Sequence, residues 1–273
     1  SQQHGTAPVI GNLIAQIVQS QGAEITANKQ VIEMLINEID RLLSLQLNEI
    51  LHHPQFQNLE SSWRGLKFLI NNTDMQKNIR IEMLNVPKDQ LRDVLYTHVF
   101  KPEYEGLLCP LSVMIADYQF DRISHDIELL KDISKMSQSI QVPFITSTAP
   151  EFFGMKSFVR LTALPQLKEK FSGPEYIKWN SFRKDEKSLW IVLTLNRFLL
   201  RFPYGQKDNP VKGFRFEEEI DESRKYLYGN AVWAIGSILA CEFAASGWCF
   251  DICGQKTENV LNSLPTHEYK ISP

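Results

Sequence analysis

The sequence predicts an α/β protein, with a largely parallel or mixed sheet that carries helices on both faces and follows a helical N-terminal extension. Three observations lead to this class. Apolar residues recur at the three-four spacing of helices in several long segments, and short apolar runs of strand length lie between them. The two kinds of segment also alternate along most of the 273 residues, as expected for a sheet with crossover helices.

The first part of the chain is predicted to be helical. Residues 9–18 carry a short amphipathic stripe. A longer helix begins near Asn28 and stops at Pro54, because proline lacks the backbone N–H and its ring clashes with the preceding turn. We therefore expect an N-terminal extension with a short amphipathic helix at residues 1–27 and an α/β region at residues 28–273.

The next helices are predicted from apolar faces that should point into the core. After Pro54 this face holds Leu59, Trp63, Leu66 and Ile70. Pro87 opens another helix, with Leu91, Val94, Leu95 and Val99 inward. Asp121 is the expected cap of a helix that carries Ile123, Ile127, Leu130, Ile133 and Ile140. Residues 231–245 form the last predicted helix.

Five short segments are predicted to be strands. They are Ile79 to Met83, Leu111 to Ala116, Val142 to Ile145, Trp190 to Leu195 and Trp248 to Ile252. The first alternates apolar and polar residues, whereas the second is nearly all apolar, as in a strand covered on both faces. Residues 146–188 and 202–226 are rich in charge, proline and glycine and are expected to form long surface excursions.

Charge and hydropathy disfavour nucleic acid and membrane as partners. The 29 basic and 32 acidic residues give a net charge of -3, so no broad basic surface is expected. The most apolar stretch, Ala231 to Cys241, is too short to span a bilayer, which argues against membrane insertion. Ser1 to Pro8 lack the order of a signal peptide, and the missing initiator Met suggests a fragment.

The four cysteines predict a reducing compartment. They are Cys109, Cys241, Cys249 and Cys253, too few for a disulfide framework. Cys249 and Cys253 would lie about 13 Å apart on a strand that rises about 3.3 Å per residue, which is too far for a disulfide. We expect reduced, buried thiols and a cytoplasmic protein.

No complete catalytic, cofactor or metal motif is present. Phosphate-loop, dinucleotide, zinc-protease and nucleophile-elbow patterns are all missing. Adjacent His52 and His53 would point about 100° apart on a helix, which disfavours one shared metal. The alternative is an α/β enzyme with an acidic site, because Asp117, Asp121 and Asp126 follow a predicted strand where such enzymes place their sites. Caps and surface charges explain these carboxylates more simply.

Two charged groups are candidates for a subunit interface. Arg197 and Arg201 lie among aromatic residues, and Glu217 and Glu218 belong to an acidic run. Arginine is favoured where planar, bidentate pairing crosses a subunit boundary. Buried pairs within the chain fit the same residues equally well, so both interpretations remain open.

One long motif is specific to a family. Leu45 to Leu66 reads Leu-Gln-Leu-Asn-Glu-Ile-Leu-His-His-Pro-Gln-Phe-Gln-Asn-Leu-Glu-Ser-Ser-Trp-Arg-Gly-Leu. It resembles the signature of the TssC (VipB) family, the large sheath subunit of bacterial type VI secretion systems. Shorter matches follow in the family's order, among them Ile115 to Phe120, Leu193 to Gly205 and Tyr226 to Ala231. Asn196 stands where the family usually has proline.

The resemblance implies a contractile sheath fold and mechanical work in the bacterial cytoplasm, without catalysis. In this family the large subunit forms a heterodimer with the small sheath subunit (TssB/VipA family). Heterodimers polymerise with further copies around the inner tube protein, and contraction drives secretion. The family's chain continues past Pro273, so a fragment lacking the C-terminal region is expected.

The resemblance also implies a regulatory partner. In many systems an AAA+ disassembly ATPase of the ClpV type recognises an N-terminal helix of the large subunit. The expected contact residues here are Val9, Ile10, Leu13, Ile14, Ile17 and Val18.

Overall fold

The computed structural model describes residues 29–107, 110–158, 167–205, 209–220 and 226–249, together with Ile252 and Leu264. The chain divides into two compact units. The first spans Ser1–His53 and Pro203–Ile220, and the second spans Pro54–Phe202 and Asp221–Pro273. The predicted helix at residues 9–18 lies outside the described residues, and the predicted boundary after residue 27 stays a prediction.

The first unit is built on one long helix, α1 (Lys29–Leu51). Asn48 is buried on this helix, and its Oδ1 accepts a hydrogen bond from the backbone N–H of Glu219 at 3.1 Å. Four apolar side chains at helical spacing are instead 43–51% exposed: Ile36, Ile39, Leu43 and Ile50. The predicted helix is confirmed, and most of its apolar stripe faces solvent.

The second unit is centred on a parallel sheet of three strands in the order β1-β2-β3. These are β1 (Met114–Phe120), β2 (Phe144–Thr148) and β3 (Ile191–Thr194). A second, antiparallel sheet pairs β4 (Arg197–Leu199) with β5 (Tyr228–Asn230). The α/β class is confirmed, while the parallel and antiparallel pairs of the described residues lie in two sheets rather than in one mixed sheet.

Helices cover both faces of the parallel sheet. The α-helices described in this unit are, in chain order, α2 (Pro54–Asn71), α3 (Leu91–Leu95), α4 (Lys101–Tyr104), α5 (Ser124–Ile140), α6 (Leu167–Lys170), α7 (Ile177–Arg183) and α8 (Ala231–Ser246). Ile115 of β1 meets Gly236 of α8, and Asp117 of β1 accepts a hydrogen bond from Ser62 of α2. Because side chains alternate along a strand, Ala116 and Phe120 point to the opposite face and join the core with α3 and α5.

The core confirms the predicted inward faces of α3 and α5, except that Ile123 precedes α5 and is 53% exposed. Ile127, Leu130 and Ile133 of α5 are fully buried, and Leu91 and Leu95 of α3 are almost so. Aromatic rings extend this core beyond the sheet, with edge and tilted contacts among Phe152, Phe171, Tyr176, Trp179 and Phe182.

The predicted inward face of α2 is wrong. Trp63 and Leu59 are each 57% exposed, and Ile70 is exposed too. The buried residues of α2 are Gly65 and Leu69. Because Gly65 has no side chain, the Trp233 indole of α8 packs directly on the backbone, where a Cβ would lie 2.2 Å from the indole nitrogen.

Two further predictions about local structure are corrected. Ile79 to Met83 belongs to no helix or strand, because its backbone has no ladder partner among the described residues. Asp121 does not cap α5, since the helix starts after Ile123 without a side-chain cap. Instead, buried Asp126 in the first turn accepts the backbone N–H of Asp121 at 2.7 Å.

The C-terminal predictions are tested only in part. Trp248, Cys249 and Ile252 are not in a strand, while the rest of the predicted strand lies outside the described residues. Cys249 is exposed, which contradicts the expected burial, and Cys241 is half-buried; both are free thiols. Partial desolvation raises the pKa of both thiols, and the Glu242 carboxylate adds to the rise in the pKa of Cys249. In the part of the chain that the structure describes, no helix has the length and hydropathy to cross a bilayer.

Candidate functional site

The carboxyl end of the parallel sheet is filled by a network of buried polar side chains. Asn230, at the start of α8, donates from Nδ2 to the Ser147 hydroxyl at 2.8 Å. Its Oδ1 accepts from the Thr194 hydroxyl and from the Val232 backbone N–H, both at 3.2 Å. The Thr148 hydroxyl donates to the Thr194 carbonyl at 3.2 Å. Asn230 therefore caps α8 and ties it to β2 and β3.

This network occupies the place where open α/β sheets usually bind ligands. Its side chains are almost completely buried, from 5% exposed for Thr148 to 7% for Asn230. Each hydroxyl or amide has a partner inside the protein, as buried polar groups require. The arrangement holds secondary structure together and presents none of these groups to a substrate.

The three aspartates of the enzyme alternative have separate partners. Asp117 accepts a hydrogen bond from Ser62 at 2.7 Å. Asp126 is buried and accepts from Lys88 Nζ and from the Asp121 backbone, both at 2.7 Å. Lys88 also lies over the Phe120 ring at 4.4 Å. The Asp126 carboxylate thus receives Lys88 and the Asp121 backbone N–H, while the Asp121 carboxylate accepts from the Arg122 backbone N–H at 2.6 Å. Among the described residues no group of three potential metal ligands forms.

Arg201 makes a buried bidentate ion pair with Glu60. A buried pair within the chain was one of the two open interpretations, but no sequence pattern indicated Glu60 as the partner. Its Nε and Nη2 donate to the two carboxylate oxygens at 2.7 and 3.3 Å. Only 6% of the Arg201 side chain and 11% of the Glu60 side chain are exposed. Arg64, four residues after Glu60 on α2, donates to the same carboxylate at 2.7 Å. The Glu60–Arg64 spacing was the one feature of the sequence that could have revealed this cluster.

The other predicted interface residues differ in exposure. Arg197 donates to the Tyr228 carbonyl at 2.9 Å, which links β4 to β5. Glu218 is buried in the first unit, where it accepts from the Tyr204 backbone N–H at 2.9 Å and lies 3.1 Å from His52 Nε2. Glu217 is exposed. Arg201 and Glu218 therefore have partners within the chain, and whether any of the four also contacts another subunit stays a prediction.

Two apolar stripes are exposed on helices. One is the α1 stripe of Ile36, Ile39, Leu43 and Ile50, and the other is the outer face of α2, with Leu59, Trp63 and Ile70. Exposed apolar surface of this periodicity is typical of helices that bind a partner.

Comparison with known proteins identifies the family. The VipB family model, the EvpB/VC_A0108 tail sheath N-terminal domain, matches residues 33–273. The chain is also 37% identical, over 254 residues, to the type VI secretion system sheath protein TssC1 of Pseudomonas aeruginosa. That match covers 87% of this chain and 51% of the relative, so the chain spans about half the length of the curated relative it matches. The resemblance seen in the sequence is confirmed, and the chain belongs to the TssC/VipB family of type VI secretion sheath proteins.

Proposed function

We propose that the chain is a structural subunit of the type VI contractile sheath in the bacterial cytoplasm. It forms a heterodimer with the small sheath subunit, and heterodimers polymerise around the inner tube and contract to drive secretion. The observation that carries this proposal is the family match over residues 33–273, together with the relative's designation as a sheath protein.

The exposed stripe of α1 supports a helical partner. At about 1.5 Å per residue, the 23 residues of α1 extend for about 35 Å. Ile36, Ile39, Leu43 and Ile50 recur along it at spacings that match one face of a helix. Such a face is buried when a second helix packs on it, and the small sheath subunit is the partner that the family match favours.

The carboxyl end of the sheet is filled by hydrogen-bonded side chains, which favours a mechanical role over a catalytic one. A contracting sheath needs no reactive group, because its free energy lies in the difference between two packings of the same subunits. The acidic enzyme alternative has less support, since Asp126 is buried beneath Lys88 and Asp117 is engaged by Ser62.

Co-expression tests the proposal directly. The full-length chain, produced with the small sheath subunit of the same bacterium, should copurify with it and form tubules visible by electron microscopy. Neither subunit alone should form them. A soluble monomer with hydrolytic turnover that Asp121→Asn abolishes would establish the enzyme alternative and overturn the sheath proposal.

The stripe at residues 9–18 is proposed as the recognition element for the disassembly ATPase. Its apolar residues belong to a segment of about three turns, and a helix this short is marginal alone and needs a groove. A peptide of residues 6–22 should bind the N-terminal domain of the cognate ATPase. The Leu13→Asp, Ile17→Asp peptide should not bind, and equal binding of both peptides would contradict the proposal.

Among the four proposed interface residues, Glu217 offers the cleanest test. It is exposed, so Glu217→Lys can weaken an intersubunit contact without removing a buried group. Glu218→Lys would remove the buried carboxylate beside His52 and disturb the first unit itself. Unchanged sheath assembly with Glu217→Lys would remove that residue from the interface.

A further inference from the structure

Two cationic side chains converge on one point near the carboxyl ends of two neighbouring strands. Arg122 follows β1, which ends at Phe120, and Gly154 ends the helical turn that follows β2. A Cβ built at Gly154 would lie 3.3 and 3.6 Å from the two terminal nitrogens of Arg122 and 3.7 Å from Lys170 Nζ. These three are the nearest atoms to that point outside the residues that adjoin Gly154 in the chain. Because all three belong to cations, the point lies in a positive field.

Gly154 leaves this point open. Its φ of +73° lies in the left-handed region, which favours glycine, and it follows the short helical turn Pro150–Phe153. Its own N–H donates to the Glu151 carbonyl at 2.8 Å, so the turn fixes the backbone here. Gly154 is exposed, and the space beside the two cations therefore opens to solvent.

The buried phenol of Tyr176 holds the Arg122 guanidinium in place. Arg122 Nη1 donates to the Tyr176 hydroxyl oxygen at 3.2 Å, and that hydroxyl donates to the Phe152 carbonyl at 2.7 Å. Tyr176 is completely buried, and burial raises the pKa of its phenol. Tyr176 therefore stays neutral, and it orients the guanidinium without neutralising it.

Aromatic packing brings Lys170 to the same place. Phe171, which follows Lys170, packs against Phe153, which precedes Gly154, with ring centroids 6.3 Å apart. Both rings belong to the apolar core, and a packed core keeps the spacing of the segments that it joins. Lys170 is half-buried at the end of α6.

Neither cation is neutralised in the part of the chain that the structure describes. Among those residues, the two side chains make no ion pair with a carboxylate. The Asp121 carboxylate accepts the backbone N–H of Arg122 at 2.6 Å, and that of Glu175 lies against Gly173. Residues 159–166, which connect the two segments, contain no acidic residue. Like charges held close together repel each other, and an anion between them removes this repulsion.

We propose that Arg122 and Lys170 bind a phosphate ion in the space beside Gly154. Phosphate carries about two negative charges at about pH 8, which matches the two cations, whereas a carboxylate would neutralise only one. Arginine and lysine are both common phosphate ligands, the first as a fork of donors and the second as a point charge. The inference adds a ligand site to the second unit and does not depend on the sheath proposal.

Phosphate titration followed by amide NMR tests the site in the intact 273-residue chain. At about pH 8 and constant ionic strength, the Gly154 and Phe171 amide signals should shift and saturate. Arg122→Gln and Lys170→Gln should each weaken binding about tenfold or more. Arg183→Gln is the matched control and should leave binding unchanged, because this exposed arginine lies over the Phe171 ring and is not among the atoms nearest to Gly154. Unaltered binding in both glutamine variants at Arg122 and Lys170 overturns the proposal.

Two further measurements identify the ligand and guard against misfolding. Acetate at the same ionic strength should cause no saturable shift, and saturation by acetate at the phosphate concentrations used would assign the site to carboxylates and overturn the proposal. Lys170→Gln should fold, because the Lys170 amine makes no hydrogen bond or ion pair within the described residues. Phosphate should raise the melting temperature of the unchanged chain and of Arg183→Gln more than that of Lys170→Gln. An equal rise in all three would reflect a general salt effect and contradict the site.

Discussion

The carboxyl end of the central sheet buries polar side chains, whereas helix α1 exposes apolar ones. At the sheet end, Asn230, Thr194 and Ser147 are buried and bonded to one another. Along α1, Ile39 and Leu43 are almost half exposed. A catalytic domain of this class would keep polar groups accessible at the sheet end and apolar groups covered. The reverse arrangement is typical of a subunit whose free energy of interaction lies on its outer surface.

Breaking the buried ion pair should cost more stability than the changes at Asn230, Gly65 or Trp63. Arg201→Met leaves Glu60 buried with Arg64 as its remaining cation, and we expect the free energy of unfolding to fall by about 3 kcal/mol. Chemical denaturation measures this change. Arg80→Met, at a side chain that is 72% exposed, should stay within about 0.5 kcal/mol. Equal losses in the two variants would contradict the assignment of Arg201 to the interior.

Removal of the Asn230 side chain should be the next most costly change. Asn230→Ala deletes the cap of α8 and leaves the Thr194 and Ser147 hydroxyls short of a partner, so the expected loss is about 2–3 kcal/mol. Exposed Asn71 at the end of α2 provides the matched control. If Asn71→Ala and Asn230→Ala unfold at the same denaturant concentration, the polar network does not stabilise the sheet end as described.

A methyl group added at Gly65 should lower the free energy of unfolding by less than the two changes above. Gly65→Ala places a Cβ against the Trp233 indole, which must shift, and the helix gains back part of the cost because alanine favours it. We expect a net loss of about 1–2 kcal/mol in thermal or denaturant unfolding. Gly205→Ala meets no atom within 4 Å and should be neutral. A stabilised Gly65→Ala protein would show that α2 and α8 pack less closely than described.

The smallest effect on stability is expected at Trp63. The sequence analysis placed Trp63 on an inward face, where truncation of a tryptophan typically costs about 3–5 kcal/mol. A side chain that is 57% exposed loses few contacts, so Trp63→Ala should cost below about 1 kcal/mol. Sheath assembly should nevertheless fall. Phe182→Ala, at a buried position, provides the contrast with an expected loss of about 3–5 kcal/mol. Comparable losses of stability at the two sites would show that Trp63 belongs to the core.

The behaviour of α2 explains which features the sequence could predict. The apolar run Trp190 to Leu195 located β3 closely. The run Val142 to Ile145 located only the start of β2, because the second half of that strand, Thr146 to Thr148, is buried but polar. The same criterion selected the wrong face of α2, where Gly65 and Ser62 pack inward and carry no hydrophobic signal. Periodicity identifies an apolar stripe on a helix. It does not show whether that stripe is buried by the protein's own core or by a partner protein.

The charged residues of the candidate functional site were also only partly predictable from the sequence. The aspartates near β1 and the arginines after β3 were recognised from the sequence, whereas their partners were not. Lys88 reaches Asp126 and Glu60 reaches Arg201 from distant segments, so only the folded chain brings these charges together. Sequence patterns thus identified the charged residues. Only the packing of the fold shows that their partners lie within the chain.

Copurification with the small sheath subunit tests the central claim most directly. The unchanged chain should be compared with Ile39→Asp, Leu43→Asp in the exposed stripe of α1 and with Glu38→Gln, Arg41→Gln in an exposed ion pair of the same helix. All three should show the same helical circular dichroism. We expect the stripe variant to recover about tenfold less small subunit than the unchanged chain, and the ion-pair variant to recover the same amount. Undiminished recovery with the stripe variant would contradict the claim that this outer apolar surface carries the function.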